Sequence, residues 1–394
     1  MIKSIPYGKQ YITDEDIQAV ADVLRSDFLT QGPTVSAFET AFKTYVGADY
    51  ASAVSNGTTA LHLAALALNV QPGDKIITTP ITFAASANCI RYCGGELVFA
   101  DIDPDTYLLD ISSVERLLQT APIGTYKGIV VVDFAGKAID LEAYRTLADQ
   151  YKLWIIEDAC HAPGAFFIDS TGEKQLAGNG KWADISVFSF HPVKHIAMGE
   201  GGALTTNNKI LFDRIQLLRT HGIHKDSSAF TNSIAFAGGE TTYPLWYMEM
   251  QDLGYNYRLT DMQAALGLSQ LKRADTGLAR RREIAQQYAS AFESCDYILR
   301  QSGVDAGHAY HLYVIEVNDR LGLYEFLRSK SIFAQIHYIP CHLMPYYRNQ
   351  GWKEGDLPHA ENYYRHCISI PMFPSLSDDE VNYVIQTIKT YFGD

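Results

Sequence analysis

The sequence predicts an α/β protein: a mostly parallel central sheet between helices, then a smaller α+β region at the C-terminal end. Three observations carry that expectation. Up to about residue 210, short β-branched runs alternate with helical patterns. Several of these runs, such as Ile129–Val132 and Trp154–Ile156, are apolar on both faces, as in strands covered by helices on both sides. The alternation then stops, and a long helical stretch leads into a second set of short strands.

In chain order, Thr13 followed by Asp14, Glu15 and Asp16 reads as an N-cap with an acidic first turn, opening a helix over Ile17–Leu24. Strands are expected at Tyr50–Ser55, Lys75–Thr79, Glu96–Ala100, Gly128–Asp133, Leu153–Asp158, Asp184–Phe190 and Gly202–Thr206. Helices are expected between most of them, at Thr58–Leu68, Phe83–Cys93, Ile111–Leu118 and Leu141–Tyr151. Asp226–Met250, rich in Ser, Thr, Gly and aromatics, reads as a long loop, and we expect it near a substrate entrance. One continuous helix is expected from Thr260 to about Phe292. Strands at Leu312–Val317 and Ile332–His337 and a closing helix at Asp378–Tyr391 follow. The expected division is a large domain over 1–259, then a connecting helix and small domain over 260–394.

Composition narrows the partners. The hydrophobic share of 47% and charged share of 20% are ordinary for a globular chain. The formal net charge is −13. Nucleic acid and anionic membrane surfaces need the opposite sign, so neither is expected as a partner. The opening residues Met1–Gly8 lack an apolar core of the secretory kind, and no run approaches the ~18 apolar residues of a membrane span. Six cysteines (89, 93, 160, 295, 341, 367) are scattered, which suits a reducing cytoplasm. Cys89 and Cys93 have no second Cys/His pair nearby in sequence, so no metal site is expected.

Four strand ends carry the chemistry, because ligands of open α/β sheets bind beyond the carboxyl ends of strands. At Ser55–Ala60 a strand turns through Gly57 into a helix opened by Thr58, which suits a phosphate and equally an ordinary capped helix. At Glu157–His161 a buried carboxylate such as Asp158 is suited to a protonated ring nitrogen, or to capping a helix. His161 alone is as consistent with a structural role. From Ser186 to Gly202 a strand delivers Ser189 and then Lys194 into a glycine-rich turn. A desolvated lysine favours its neutral amine and becomes competent to form a Schiff base. Gly-Glu-Gly-Gly over 199–202 precedes a strand, so it is not a dinucleotide fingerprint. The fourth strand end is Gly254–Asp261.

A phosphate cradle, a carboxylate, a hydroxyl and a Schiff-base lysine are the set that pyridoxal 5′-phosphate (PLP) requires. With these motifs the sequence resembles, nearly end to end, the DegT/DnrJ/EryC1/StrS sugar aminotransferases, within the aspartate-aminotransferase-like PLP enzymes of fold type I. The resemblance implies that Lys194 bonds the cofactor and moves the proton, and that Asp158 faces the pyridine nitrogen. It implies phosphate contacts from Gly57, Thr58 and Ser189, a ring stacked by Phe83, and His161 at the phenolic oxygen. It further implies that Asn256 crosses to a neighbouring subunit's phosphate, which makes a homodimer with a shared site.

On the substrate side, the resemblance implies nucleotide-linked keto sugars with L-glutamate as amino donor. Tyr7 and the segment holding Asp27, Phe28, Leu29 and Thr30 resemble the family's N-terminal sugar-binding stretch. Gln335, Ile336, His337 and Tyr338 resemble the stretch that closes over substrate, and Arg258 is a further anion contact. Phe134-Ala-Gly-Lys137, with Thr79–Phe83 and His337–Pro340, looks most like the branch aminating a UDP-linked 4-keto-6-deoxy-N-acetylhexosamine for pseudaminic acid synthesis. Branches acting on a UDP-4-keto-pentose or a dTDP-keto sugar are the alternatives. A PLP-dependent sugar dehydratase would carry histidine in place of Lys194. A non-catalytic PLP-binding regulator would need an additional sensor or DNA-binding module, and the sequence shows none.

Overall fold

The apolar runs of the first half form one seven-stranded sheet. Its order across the sheet is Tyr50–Val54, Gly202–Thr206, Ile185–Ser189, Trp154–Asp158, Tyr126–Val132, Lys75–Thr78, Glu96–Phe99. These come from a computed structural model that describes residues 4–394. Only Gly202–Thr206 runs against both of its neighbours; the other pairings are parallel. Ile129, Val130, Val131, Ile155, Ile156, Ile185 and Val187 are buried throughout, which is why these runs carry no polar alternation. Helices Gly57–Ala67, Ala84–Tyr92, Ile111–Gln119 and Leu141–Tyr151 arise where expected. The expected α/β architecture, a mostly parallel sheet flanked by helices, is therefore present, and the carboxyl ends of the parallel strands open on one edge.

The second unit packs a three-stranded antiparallel sheet, Arg300–Gln301, Tyr313–Glu316 and Cys367–Ile370, against helices Ala274–Phe292, Arg320–Ser329 and Asp378–Phe392. Its core includes Tyr288, Phe292, Leu323, Leu327, Val384 and Ile388, together with Ile5 from the start of the chain. Ile5–Pro6 pairs in parallel with Ile332–Phe333, which carries Tyr7 toward the cleft between the units.

Three expectations change. The helical pattern from Thr260 to Phe292 is two helices, Asp261–Leu271 and Ala274–Phe292. The break at Lys272–Arg273 lets Gln270 and Arg273 both turn onto Asp16, which is fully buried. The strand expected at Ile332–His337 ends at Phe333; Gln335 then makes a single bridge to Ser369, which frees Ile336–Tyr338 from the ladder. Asp226–Met250 is not a bare loop. Glu249 pairs its strand with His224 and accepts the backbone N–H groups of Thr231 and Asn232.

Helix Pro33–Val46 has a long-range cap. Asp261, fully buried, accepts from Gly32 N at 2.8 Å and Thr34 N at 2.9 Å while standing in the first turn of its own helix. Asp261→Ala orphans both donors and is expected to lower stability by about 2–3 kcal/mol. The check is a reduced urea midpoint at an unchanged m-value.

Candidate active site

The cleft at the carboxyl edge of the sheet encloses about 590 Å³. Its wall brings together Tyr7, Gly57, Thr58, Phe83, Asp158, His161, Ser189, Lys194, Gln335, Ile336, His337 and Tyr338, all of which the sequence singles out. They arrive in six groups, after the strands Ile5–Pro6, Tyr50–Val54, Lys75–Thr78, Trp154–Asp158, Ile185–Ser189 and Ile332–Phe333, and the local chain explains the main placements.

After Tyr50–Val54 the chain turns at Asn56 into helix Gly57–Ala67. The Asn56 side chain accepts from Thr59 N at 2.9 Å, so the first two helical N–H groups, on Gly57 and Thr58, receive no side-chain cap. A Cβ on Gly57 would come within 2.9 Å of Ser189 Cβ, so glycine is what lets that helix start approach the neighbouring strand end. An uncapped helix start beside a serine hydroxyl is an anion cradle.

Asp158 ends its strand fully inside the fold. Its Oδ2 accepts from Ser86 Oγ at 2.5 Å and its Oδ1 from Cys160 N at 3.1 Å. Beneath it sit two more buried carboxyls, Asp133 and Glu157. Burial pushes both pKa values up, and Glu157 is held by Ser186 Oγ and by Gly178 N at 3.0 Å.

Lys194 follows Ser189 through a turn closed by its own N–H to His191 O at 2.8 Å. Burial is the main cause that brings its amine down from the usual lysine range to about 8, against the pull of Cys160 and Asp158. At pH 7 roughly a tenth of the amines are then neutral, far more than for a solvated lysine. His161 lies deep in the wall, its ring tilted 35° against that of His311 with centroids 4.2 Å apart, and its Nε2 is 3.4 Å from Tyr338 Oη. Its Nδ1 is buried with no protein partner. His337 donates to or accepts from Ser369 Oγ at 2.9 Å, and its carbonyl accepts from Tyr363 Oη at 2.6 Å, which fixes the stretch 335–338 against the cleft.

Six expected residues stand outside this cavity in the single chain. Asp27, Phe28 and Leu29 are exposed, and Thr30 makes a bridge to Thr260. Asn256 is exposed and bridges Thr220; Arg258 bridges Val54. No residue of 226–250 lines the cavity either. Conversely, the sequence reading missed Ser86 and His311. Ser86 lies three residues beyond Phe83, on one helical face with it, and that spacing is a usable signal. His311 carries no local signal, because only the fold brings it to His161.

The sequence profile of the DegT/DnrJ/EryC1/StrS aminotransferase family matches residues 10–389. The spore coat polysaccharide biosynthesis protein SpsC of Bacillus subtilis (strain 168) is 39% identical over 396 residues, 98% of this chain and 96% of the relative. The UDP-4-amino-4,6-dideoxy-N-acetyl-beta-L-altrosamine transaminase of Campylobacter jejuni subsp. jejuni serotype O:2 is 36% identical over 392 residues, 98% of this chain and 96% of the relative. The solved structure of Helicobacter pylori PseC, an aminotransferase involved in the biosynthesis of pseudoaminic acid, superposes with a TM-score of 0.86 at 31% identity, over 99% of both chains.

Burial holds His161, His195 and His311 below the usual imidazole range and brings His308 and His337 down to about 3. Depressed imidazoles contribute stability that is complete above the unfolded value near 6.5 and is lost as pH falls toward the folded values, each by up to about 1.4 kcal/mol per unit. Asp133 and Glu157, shifted upward, act in the opposite sense, and there are fewer of them. The cofactor-free full-length protein is therefore expected to unfold at lower urea concentration at pH 5 than at pH 7. Equal midpoints would contradict the neutral-histidine arrangement.

Proposed function

The chain belongs to the DegT/DnrJ/EryC1/StrS aminotransferase family, and on that premise we propose that it aminates the C4 ketone of a UDP-linked 4-keto-6-deoxy-N-acetylhexosamine, with L-glutamate as donor. The product is then UDP-4-amino-4,6-dideoxy-N-acetyl-β-L-altrosamine. At the coarser level it is a PLP-dependent sugar aminotransferase. The observation that carries the reading is the convergence of Lys194, Asp158, His161 and the Gly57–Thr58 helix start on one cavity.

The residues present fit PLP. The uncapped N–H groups of Gly57 and Thr58 and the Ser189 hydroxyl suit its phosphate, and the orphaned His161 Nδ1 awaits a polar partner. Bound PLP supplies an electron sink for making and breaking carbon–nitrogen bonds. Asp158, already oriented by Ser86, is placed to hold a proton on a ring nitrogen. Phe83, at the cavity mouth with its ring 6.3 Å from that of Tyr338, supplies an aromatic face. Lys194 Nζ, with its lowered proton affinity, is the group to take up and return a proton at the reacting carbons. Tyr7 and 335–338 close the cleft over the sugar side.

A dehydratase needs histidine where Lys194 stands. The adjacent His195 does not substitute for it: its Nε2 is bonded to Ala309 O at 2.8 Å, and it lies outside this cavity's lining. The altrosamine reading draws support from the Campylobacter relative, from PseC and from the Phe134–Lys137 stretch. A different nucleotide-linked keto sugar is the second reading, favoured by the 39% identity to a spore coat polysaccharide protein. We read the protein as a cytoplasmic homodimer in which Asn256 reaches a partner's cavity, and Asn256 stands outside the cavity of its own chain.

Addition of PLP followed by borohydride is expected to leave the cofactor covalently on the Lys194 peptide. Lys194→Ala should bind PLP reversibly and lose transamination; turnover by that variant would place the chemistry elsewhere. Gly57→Ala, which pushes a methyl into Ser189, is expected to weaken PLP binding at least about tenfold, or about 1.4 kcal/mol, in a fluorescence titration. For the substrate, mass spectrometry of UDP-, dTDP- and GDP-linked keto sugars incubated with glutamate decides. Amination of a dTDP-sugar alone would remove the altrosamine reading.

A further inference from the structure

Arg281 heads the fully buried side chains of the fold by size, with 1% of its surface exposed. It projects from helix Ala274–Phe292 and meets main-chain carbonyls. Its Nη1 donates to Tyr310 O at 3.0 Å and Met372 O at 2.9 Å, with a longer contact to His311 O at 3.5 Å, while its Nε has no partner. No carboxylate forms an ion pair with it among the described residues. Burial lowers even this guanidinium to about 9. A buried cation without a counter-ion is costly, so its surroundings must make use of it.

Those surroundings are the back of the active site. Residues 309–312 form a turn in which Tyr310 takes φ +48°. Ala309 N and Leu312 N donate to Gly136 O and Ala135 O at 2.7 and 3.1 Å. His195 bonds Ala309 O, and Arg281 closes the remaining side. The side chain that leaves this turn is His311, which enters the cavity wall and packs against His161.

We propose that Arg281 is a positioning residue of the active site: its buried, carboxylate-free guanidinium fixes the turn that sets His311 against His161, and it supplies a positive field at Lys194. This rests on Lys194 being the functional amine. The titratable and charged groups that share the cavity wall with Lys194 are Tyr7, Asp158, Cys160, His161, His191, Glu200, His311, His337 and Tyr338, with His195 and Arg281 outside that lining. Asp158 favours the ammonium form. Burial keeps the histidines neutral, and Arg281 is a cation that opposes protonation against the pull of Cys160 and Asp158. Its field also reaches His195 and His311 and disfavours their protonation.

The test is the pH dependence of Lys194 acetylation by acetic anhydride in cofactor-free full-length protein, read by mass spectrometry of the Lys194 peptide. The wild-type midpoint is expected near 8. Arg281→Gln should move it upward and slow labelling at pH 7 by roughly threefold. Arg281→Lys keeps the charge and should label like wild type, while losing the carbonyl fork. In the loaded enzyme, the acid limb of the kcat profile should move upward in Arg281→Gln alone. A natively folded Arg281→Gln variant with an unchanged Lys194 midpoint would make Arg281 a strut and overturn the proposal. Should that variant not fold, the wild type still decides: a Lys194 midpoint in the ordinary lysine range overturns the field. The labelling needs no turnover, so failure to aminate any keto sugar would count against the proposed function and leave this inference standing.

Discussion

Everything at the site depends on one double register. Gly202 pairs with Val54 on one side and with Ser189 on the other, so a single antiparallel strand sets the ends of two parallel strands side by side. Those strands lie far apart in sequence, and no direct ladder joins them. The spacing admits no side chain at the junction: a Cβ at Gly202 would sit 2.5 Å from the carbonyl carbon and oxygen of Asn56. The helix start at Gly57 and the Ser189–Lys194 turn therefore share one wall because glycine allows backbone to touch backbone. Had the antiparallel strand slipped by one residue, the hydroxyl and the helix N–H groups would face different sides.

Beneath that wall the chain buries an unusual density of polar groups, and it does so by keeping most of them neutral. Burial drives Asp133 and Glu157 toward protonation, Asp133 further through its neighbour Glu157, and the imidazoles around Lys194 are held unprotonated. Neutral groups pay less desolvation than charged ones, so the polar floor is compatible with a close-packed core. Against a formal net charge of −13, an anionic ligand gains nothing from the global field. Its recognition has to come from the helix start, Lys194 and nearby dipoles.

How much of this was legible in the sequence follows from how local each signal is. Strands apolar on both faces and the strand-end motifs were readable, because each is written in consecutive residues, and twelve expected site residues do line one cavity. Helix Pro33–Val46 was missed, although Pro33 in its first turn and Gly47 at its C-cap are local signals; what the local sequence hides is its capping partner. Its cap is Asp261, more than two hundred residues away, and Gly32 at the N-cap position gives no side-chain signal. The break after Leu271 was hidden for a similar reason, since it serves Asp16 near the other end of the chain. His311 is apolar in its neighbourhood and sits beside His161 only through the turn that Gly136 and Arg281 clamp. Asn256 and Arg258 were legible as motif residues, yet both stand outside the cavity of the single chain.

The stretch that most specifically pointed to a substrate, Phe134–Lys137, touches none of it directly. No residue of 134–137 lines the cavity. Phe134 is buried, with ring centroids 6.0 Å from Tyr338 and 6.2 Å from His161, and Lys137 is paired with Asp305 at 2.6 Å. A Cβ on Gly136 would meet His161 O, His311 N and Tyr310 N within 3.0 Å. The motif thus acts as a spacer that sets Tyr338, His161 and His311 relative to one another. A motif of that kind reports on substrate through the shape it imposes on others, and related chains can share it while differing in the residues that meet the sugar. Tyr7 and Gln335–Tyr338, by contrast, face the cleft directly, and of these the spacer meets Tyr338.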